Sequence, residues 1–396
     1  MQLLTLLGVA WGLGVAAILL LHRRALIALW REPVMRHPVL IVESDDWGVG
    51  PLEQAEALSA IVDCLARHHD RQGRSPVMTV ALILALPEAN SATRLRPLDS
   101  PEFAPILAAL QAGIARGVLA PQLHGMTHFW PPALARAALA QPQVAAWLAA
   151  PSLTEQLPSP LQSRWTDASE LPSLPLDDER VRAAVAEEVA AYTRLLGVPP
   201  QVVVPPTFVW TAAVESAWAA AGMRVLVTPG RRFTCRDGAG RPAGIDKTMR
   251  NGDRSHGGAV YLVRDDYFEP LLGHTPERAL AALARKTELG RPCLLETHRN
   301  NFLAAAGGDL DQGLTALDDL YRLALAAYPD LRYLSCAELG LALNGNDPAW
   351  IERDRRRRFT IWLCRVAGLP RFGKAARLSG LLPLLNLFAR PDRLHP

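Results

Sequence analysis

The chain has 396 residues, 49% apolar and 20% charged, a balance that allows a large buried core and excludes wholesale disorder. Its net charge of +3 is uneven: from Ile351 onward eleven Arg and Lys face three Asp and Glu, leaving the preceding body mildly acidic. Five scattered cysteines with no C-x-x-C pair argue against a disulfide framework and suit a reducing compartment.

The first element is Leu3 to Leu21, an uncharged run long enough to cross a bilayer as a helix. Nothing basic precedes it in the manner of a secretory signal, and His22-Arg23-Arg24 follows. The positive flank predicts an outside N-terminus and a body on the cytoplasmic face, anchored by a single pass. Gly8 and Gly12 form a G-x-x-x-G pair that suits a homodimer contact.

Beyond the anchor, short apolar runs alternate with amphipathic ones. Strands are predicted at Val39–Ser44, Val77–Leu86, Leu119–Leu123, Gln201–Val204, Arg224–Val227, Val260–Val263, Cys293–Glu296 and Leu331–Leu334. Helices are predicted at Leu52–His68, Asp178–Leu196, Thr211–Ala221, Pro276–Leu289 and Leu310–Ala327. Seven or eight such repeats predict a parallel sheet, and the count suits a barrel better than a doubly wound sheet. No G-x-G-x-x-G follows the first strand, which removes the usual support for a dinucleotide domain. Cys293 and Cys336 sit in apolar runs and read as small core residues.

Two stretches break the rhythm. Pro151 to Pro175, rich in Pro, Ser and Thr, reads as a surface insertion, an excursion rather than a cover over a groove. Arg231 to Ser255 reads as loop. From Ile351 the tail interleaves Arg clusters with Trp, Phe and Leu, a pattern that suits anionic lipid better than nucleic acid. The organisation is therefore an anchor over residues 1–37, a barrel over 38–345 and a basic membrane-associated tail over 346–396.

The chemistry gathers where predicted strands end. Val39-Leu-Ile-Val-Glu-Ser-Asp-Asp-Trp-Gly48 runs an apolar strand into two adjacent carboxylates, which repel one another unless a cation or a proton intervenes. His124 and His128 follow the third strand, four apart, and meet on one side if a helical turn starts there. Two imidazoles and one carboxylate make a three-ligand site with an open position for water. The second carboxylate can then stay ionised as a base. His298 closes the seventh strand in Leu295-Glu-Thr-His-Arg-Asn-Asn-Phe302 and suits a proton donor.

Ser44-Asp-Asp-Trp-Gly48, His124-Gly-Met-Thr-His128 and Leu295-Glu-Thr-His298, in that order, resemble the first, second and fifth motifs of the polysaccharide deacetylase (NodB-like carbohydrate esterase) family. The resemblance covers roughly Pro38 to Leu343. It implies a deformed (β/α)7-8, TIM-like barrel, a divalent metal that is usually zinc, and hydrolysis of N- or O-acetyl groups on a sugar. Matched by position, it implies Asp45 as general base, His298 as general acid, and Asp46, His124 and His128 as metal ligands. Where the family's third motif carries an Arg, this chain reads Val203-Val-Pro-Pro-Thr-Phe-Val209, so a partner for the base is expected from elsewhere. The fourth motif has Arg264-Asp-Asp-Tyr267 as its nearest substitute.

The expectation is thus a membrane-anchored, metal-dependent deacetylase of an acetylated carbohydrate, a lipid-linked precursor if the body faces the cytoplasm. The alternative is a catalytically silent carbohydrate-binding or scaffold subunit of a membrane polysaccharide-assembly complex. A hydrolase of another C–N bond on the same barrel is a third reading.

Overall fold

Every residue from Leu40 to Gly48 is buried, so the first strand is covered on both faces, as a central parallel strand must be. In the computed structural model, which describes residues 2–389, eight strands form one sheet. They are β1 (Leu40–Gly48), β2 (Met78–Ile83), β3 (Leu119–Gly125), β4 (Val202–Val203), β5 (Val225–Thr228), β6 (Val260–Val263), β7 (Asp266–Tyr267) and β8 (Cys293–His298). Their order is β6-β5-β4-β3-β2-β1-β8-β7, and every pairing is parallel.

Strands one to six follow one another in a single direction, and β8 returns to the far side of β1. That is the winding of a barrel, not of a doubly wound sheet, whose order reverses midway. Closure is incomplete. Among the described residues no ladder joins β6 to β7, although only Arg264 and Asp265 separate them. The barrel is therefore deformed, as expected, and half-open, with its seam at Arg264.

Two strand expectations need correction. Leu331–Leu334 forms no strand; Arg332 alone makes an isolated bridge to Val39. Its apolar residues Leu331, Tyr333 and Leu334 are buried by packing, and an apolar run signals burial whether or not its backbone joins a sheet. The eighth strand is instead the two-residue β7. Val77–Leu86 breaks after Ile83, and its end turns into a hairpin of Ala85–Glu88 with Ser91–Pro97. Cys293 and Cys336 are both fully buried, the latter opening the Cys336–Gly345 helix behind its Ser335 and Glu338 capping box.

The N-terminal helix runs from Gln2 to Arg31 and is long and apolar enough to cross a membrane. The tail is not a separate surface helix. Arg355–Ala367, Pro370–Leu378 and Leu381–Asn386 are helices that pack on the inner half of the N-terminal one, Phe372 and Val366 against Leu26 and Leu29. The buried Arg365 donates to the carbonyls of Leu29, Glu32 and Pro33, satisfying groups a helix end leaves open. Arg390, Asp392 and Arg393, counted in the basic tail, lie outside the described residues.

This bundle joins the barrel at the strand starts: Met35 N–H donates to Gly290 O, just ahead of β8, and Arg365 reaches the same carbonyl. Asp45, His124 and His298 stand at the opposite, C-terminal strand ends.

Candidate metal centre

Successive strand residues point to opposite faces, so two neighbouring carboxylates should not reach one site. The chain solves this with a bulge. Between Ser44 and Trp47 the register of β1 against β2 shifts, and Asp46 adopts a left-handed backbone at φ 72°. Both Asp45 and Asp46 then line one cavity of 430 Å³.

The histidines arrive by a different local structure from the helical turn expected. Met126 to Phe129 is a bent loop after β3, and His128 is returned by its fixation from behind. Glu188, from the Asp178–Leu196 helix, accepts from Met126 N–H at 3.2 Å and from Arg164 Nε at 2.9 Å. Arg164 also donates to Thr127 Oγ1 at 2.9 Å. Gly125 makes room for it, since a Cβ there would lie 2.8 Å from Arg164 Cδ, and its φ of +120° disfavours any side chain.

His124 Nδ1 pairs with the Val204 carbonyl at 2.8 Å, so it is the protonated nitrogen, and Nε2 faces the cavity. Asp46 Oδ1 lies 3.4 Å from His124 Nε2 and 3.3 Å from His128 Nε2. This oxygen is buried and has no hydrogen-bond partner among the described residues. Ligands about 2.0–2.1 Å from a tetrahedral ion sit about 3.3–3.4 Å from one another. Both distances suit ligands of a tetrahedral cation, all three residues can converge on one ion, and the orphaned oxygen is what such a cation would satisfy.

Charge agrees with spacing. Burial opposes the ionised form of Asp46, but His128 and His124 beside it hold its carboxyl far below the usual range. Burial pushes His128 down to about 4, leaving a neutral imidazole, whereas the Asp45 and Asp46 carboxylates outweigh burial at His124 and raise it.

The partners missing from the third and fourth motifs come from one stretch at the barrel seam, Arg264 to Glu269. Arg264 is fully buried and grips Asp45 with both terminal nitrogens, Nη1 to Oδ1 at 2.9 Å and Nη2 to Oδ2 at 2.6 Å. Against burial, the guanidinium and His124 hold the Asp45 carboxyl below the usual range. Arg264 also stands 3.6 Å from Glu43 and 3.2 Å from Glu296. One cation cannot offset three buried carboxylates: burial pushes Glu43 up to about 7 and raises Glu296, with Arg264 only partly countering it.

Glu269 accepts from His298 Nδ1 at 2.6 Å and also from Asn301. Burial alone would lower His298, but Glu269 and the nearby aspartates raise it to about 10. The Nε2 edge lies 3.9 Å from Glu296 Oε1 and faces the cavity. From the sequence Arg264 is expected only as the nearest fourth-motif substitute, and Glu269, two residues past Tyr267, is not expected at all. The one local signal was a run of polar residues directly after an apolar strand.

The insertion at 151–175 is not the bland excursion expected. Glu155 and Gln162 line the cavity, and Glu155 holds the buried Arg299 at 2.9 and 3.1 Å. A further His/Cys/Asp group, Cys64, His68 and Asp318, lies between two helices, but its Asp318 is engaged by Arg67 at 2.9 Å and His68 at 3.0 Å.

Residues 158–289, a third of the chain, match the family described as Glycosyl hydrolase family 57. This stretch contains Arg164, Arg264 and Glu269 but none of Asp45, Asp46, His124, His128 or His298. No curated protein matches the chain. Among solved structures it is similar to the Xyl-CE4 domain of a multidomain xylanase from the hindgut metagenome of Trinervitermes trinervoides. That likeness has 11% identity and a TM-score of 0.37 over 77% of this chain and 90% of that one. It is also similar to a family 4 carbohydrate esterase from Streptomyces lividans, at 12% identity and TM-score 0.36 over 76% and 93%. A third likeness is to the α-amylase AmyC from Thermotoga maritima, at 11% identity and TM-score 0.41 over 77% and 74%.

Proposed function

We propose that the protein is a metal-dependent hydrolase that removes acetyl groups, N- or O-linked, from a carbohydrate. The observation that carries this reading is the unpartnered Asp46 oxygen facing two imidazole nitrogens at tetrahedral spacing, with Asp45 and His298 each fixed by its own partner beside it. Asp46, His124 and His128 would hold the ion. Two imidazoles in the donor set favour zinc over magnesium, which takes oxygen ligands. Such an ion, when bound, polarises an acyl oxygen and makes water a nucleophile at neutral pH.

The remaining steps belong to the chain. Asp45, kept ionised by Arg264, accepts a proton from the water whose oxygen bonds to the acyl carbon. His298, kept protonated by Glu269, donates from Nε2 to the leaving nitrogen or oxygen as its bond to that carbon breaks. Acetate and a free amine or hydroxyl result. Contacts from Arg264 and Glu269 favour this over a silent scaffold, since a site without chemistry has no need of an oriented base and an oriented acid.

Metal analysis with an acetate-release assay on acetylated sugar oligomers tests the reading. Asp45→Asn should retain metal and lose most turnover; His124→Ala with His128→Ala should lose the metal, and full occupancy there would overturn the ligand set. The matched glycosyl hydrolase stretch favours a second reading, cleavage of the glycosidic bond itself. Shortened oligomers without released acetate would establish that one instead.

A further inference from the structure

At the opposite end of the barrel from the metal centre, where the N-terminal helix and the tail helices meet the strand starts, lies a second cavity of 410 Å³. Arg36, Arg71, Arg291 and Arg357 line it, against Asp330 as the one lining acid. Two of these arginines are neutralised in place: Arg291 pairs with Glu32 at 2.6 Å and Arg357 with Glu352 at 3.1 Å. Arg36 and Arg71, both exposed, have no carboxylate partner among the described residues.

The wall also carries unmet polar atoms. His37 Nδ1 is buried and 3.8 Å from Asp330, too far to hydrogen-bond, and Thr287 Oγ1 is buried with no partner among the described residues. Burial lowers the His37 imidazole, and Arg332 and Arg36 add to that more than Asp330 counters it, the signature of a positive local field. Two exposed guanidinium groups without a carboxylate partner at one concavity, one of them lightly held by the Pro348 carbonyl at 3.2 Å, form the donor set that a phosphate group takes. We infer that this cavity binds a phosphate-bearing small molecule, anchored by Arg36 and Arg71.

A phosphate could come from a lipid headgroup or from solution. The apolar run ends at Leu21 and the helix continues to Arg31, about 15 Å further along its axis. The headgroup layer is only about 5–8 Å thick, so a lipid still in its leaflet falls short of the cavity. The soluble source is therefore the one inferred.

The test is calorimetric titration of the full-length, detergent-purified protein with inorganic phosphate and with a hexose 6-phosphate. Arg36→Ala with Arg71→Ala serves as the variant, because both side chains are exposed and neither is in the catalytic site. Saturable binding weakened at least tenfold in the variant, with acetate release and metal content unchanged, is expected. No saturable binding to the parent protein, or equal affinity in the variant, would overturn the site. Flotation with phosphatidylglycerol vesicles separates the sources: it should be the same for both proteins, and its selective loss in the variant would overturn the soluble ligand. These readouts do not depend on the deacetylase reading, so either can fail alone.

Discussion

His298 can donate a proton only while it holds one, and Glu269 is what keeps it there. With the imidazole raised to about 10, the alkaline limb of kcat should lie near pH 10 and not near 6.5. Glu269→Gln removes the carboxylate and leaves burial, which lowers the imidazole, opposed by Asp46 and Asp45, so the limb should move down. At pH 9 the loss should exceed about tenfold, while metal content stays the same. The same shift bears on stability: protons are held more tightly in the folded state, so this pair's stabilisation is complete below about 6.5 and is lost as pH rises through about 10. Arg264 offers a second test. Arg264→Gln strands Glu43, Asp45 and Glu296 without their cation and should cost about 3–5 kcal/mol in denaturant melts. Arg264→Lys keeps the charge but loses the two-point grip, so kcat should fall about a hundredfold with KM and metal nearly unchanged. Asp45, Asp46, His124, His128 and His298, which line the cavity, are legible in the sequence because each stands in a short motif at or just past the end of an apolar run. Their partners are not. Arg264 lies 219 residues from Asp45, and no local pattern announces that the seam of an open barrel will bring them together.

Elements were legible where periodicity and burial coincide. The helices Asp178–Leu196 and Leu310–Ala327 stand where the apolar spacing puts them, and seven of the eight expected strands appear within a few residues. What fails is the equation of an apolar run with a strand at Leu331–Leu334, and of a Pro- and Ser-rich stretch with a bystander at 151–175. In the second case composition describes the backbone, an irregular chain with short 3-10 turns, but says nothing of its two long polar side chains that turn inward. Glu155 latches the insertion to Arg299, which also donates to Val49 O at 2.8 Å beside the end of β1. Glu155→Gln removes the only carboxylate on that guanidinium among the described residues and should loosen the flap over the cavity. KM for an acetylated oligomer should rise about tenfold, roughly 1.4 kcal/mol, with kcat little changed. Limited proteolysis should nick residues 151–175 faster than in the parent, and an unaltered cleavage pattern with unaltered KM would remove the insertion from substrate binding.

At the scale of the whole molecule, the anchor and the site occupy opposite ends of the strands. The N-terminal helix docks through Arg365 and Met35 at the strand starts, while Asp45 stands five residues along β1, about 17 Å further on. If the apolar run crosses a bilayer, the helix beyond Leu21, about 15 Å, would set the cavity well clear of it. By the positive-inside rule, the basic residues after that run, with Arg371, Lys374 and Arg377 exposed on the packed tail helix, predict a body on the cytoplasmic side. Protease added to intact cells should leave the body whole, and cleavage from outside would reverse that placement. The same arrangement bears on substrate. Were the proposed enzyme anchored on that side, a lipid-linked sugar would be its natural substrate, but a single sugar on its carrier sits at the headgroups and would not reach a cavity that opens on the far end of the barrel. Length along the chain is the variable that matters. In vesicles, acetate release from lipid-linked monosaccharide should be negligible and should rise with each added sugar until the acetylated residue clears the barrel. Soluble oligomers should be hydrolysed equally in vesicles and in detergent. Equal turnover of the lipid-linked monosaccharide in both settings would mean that the barrel lies down on the bilayer, with its site at the surface.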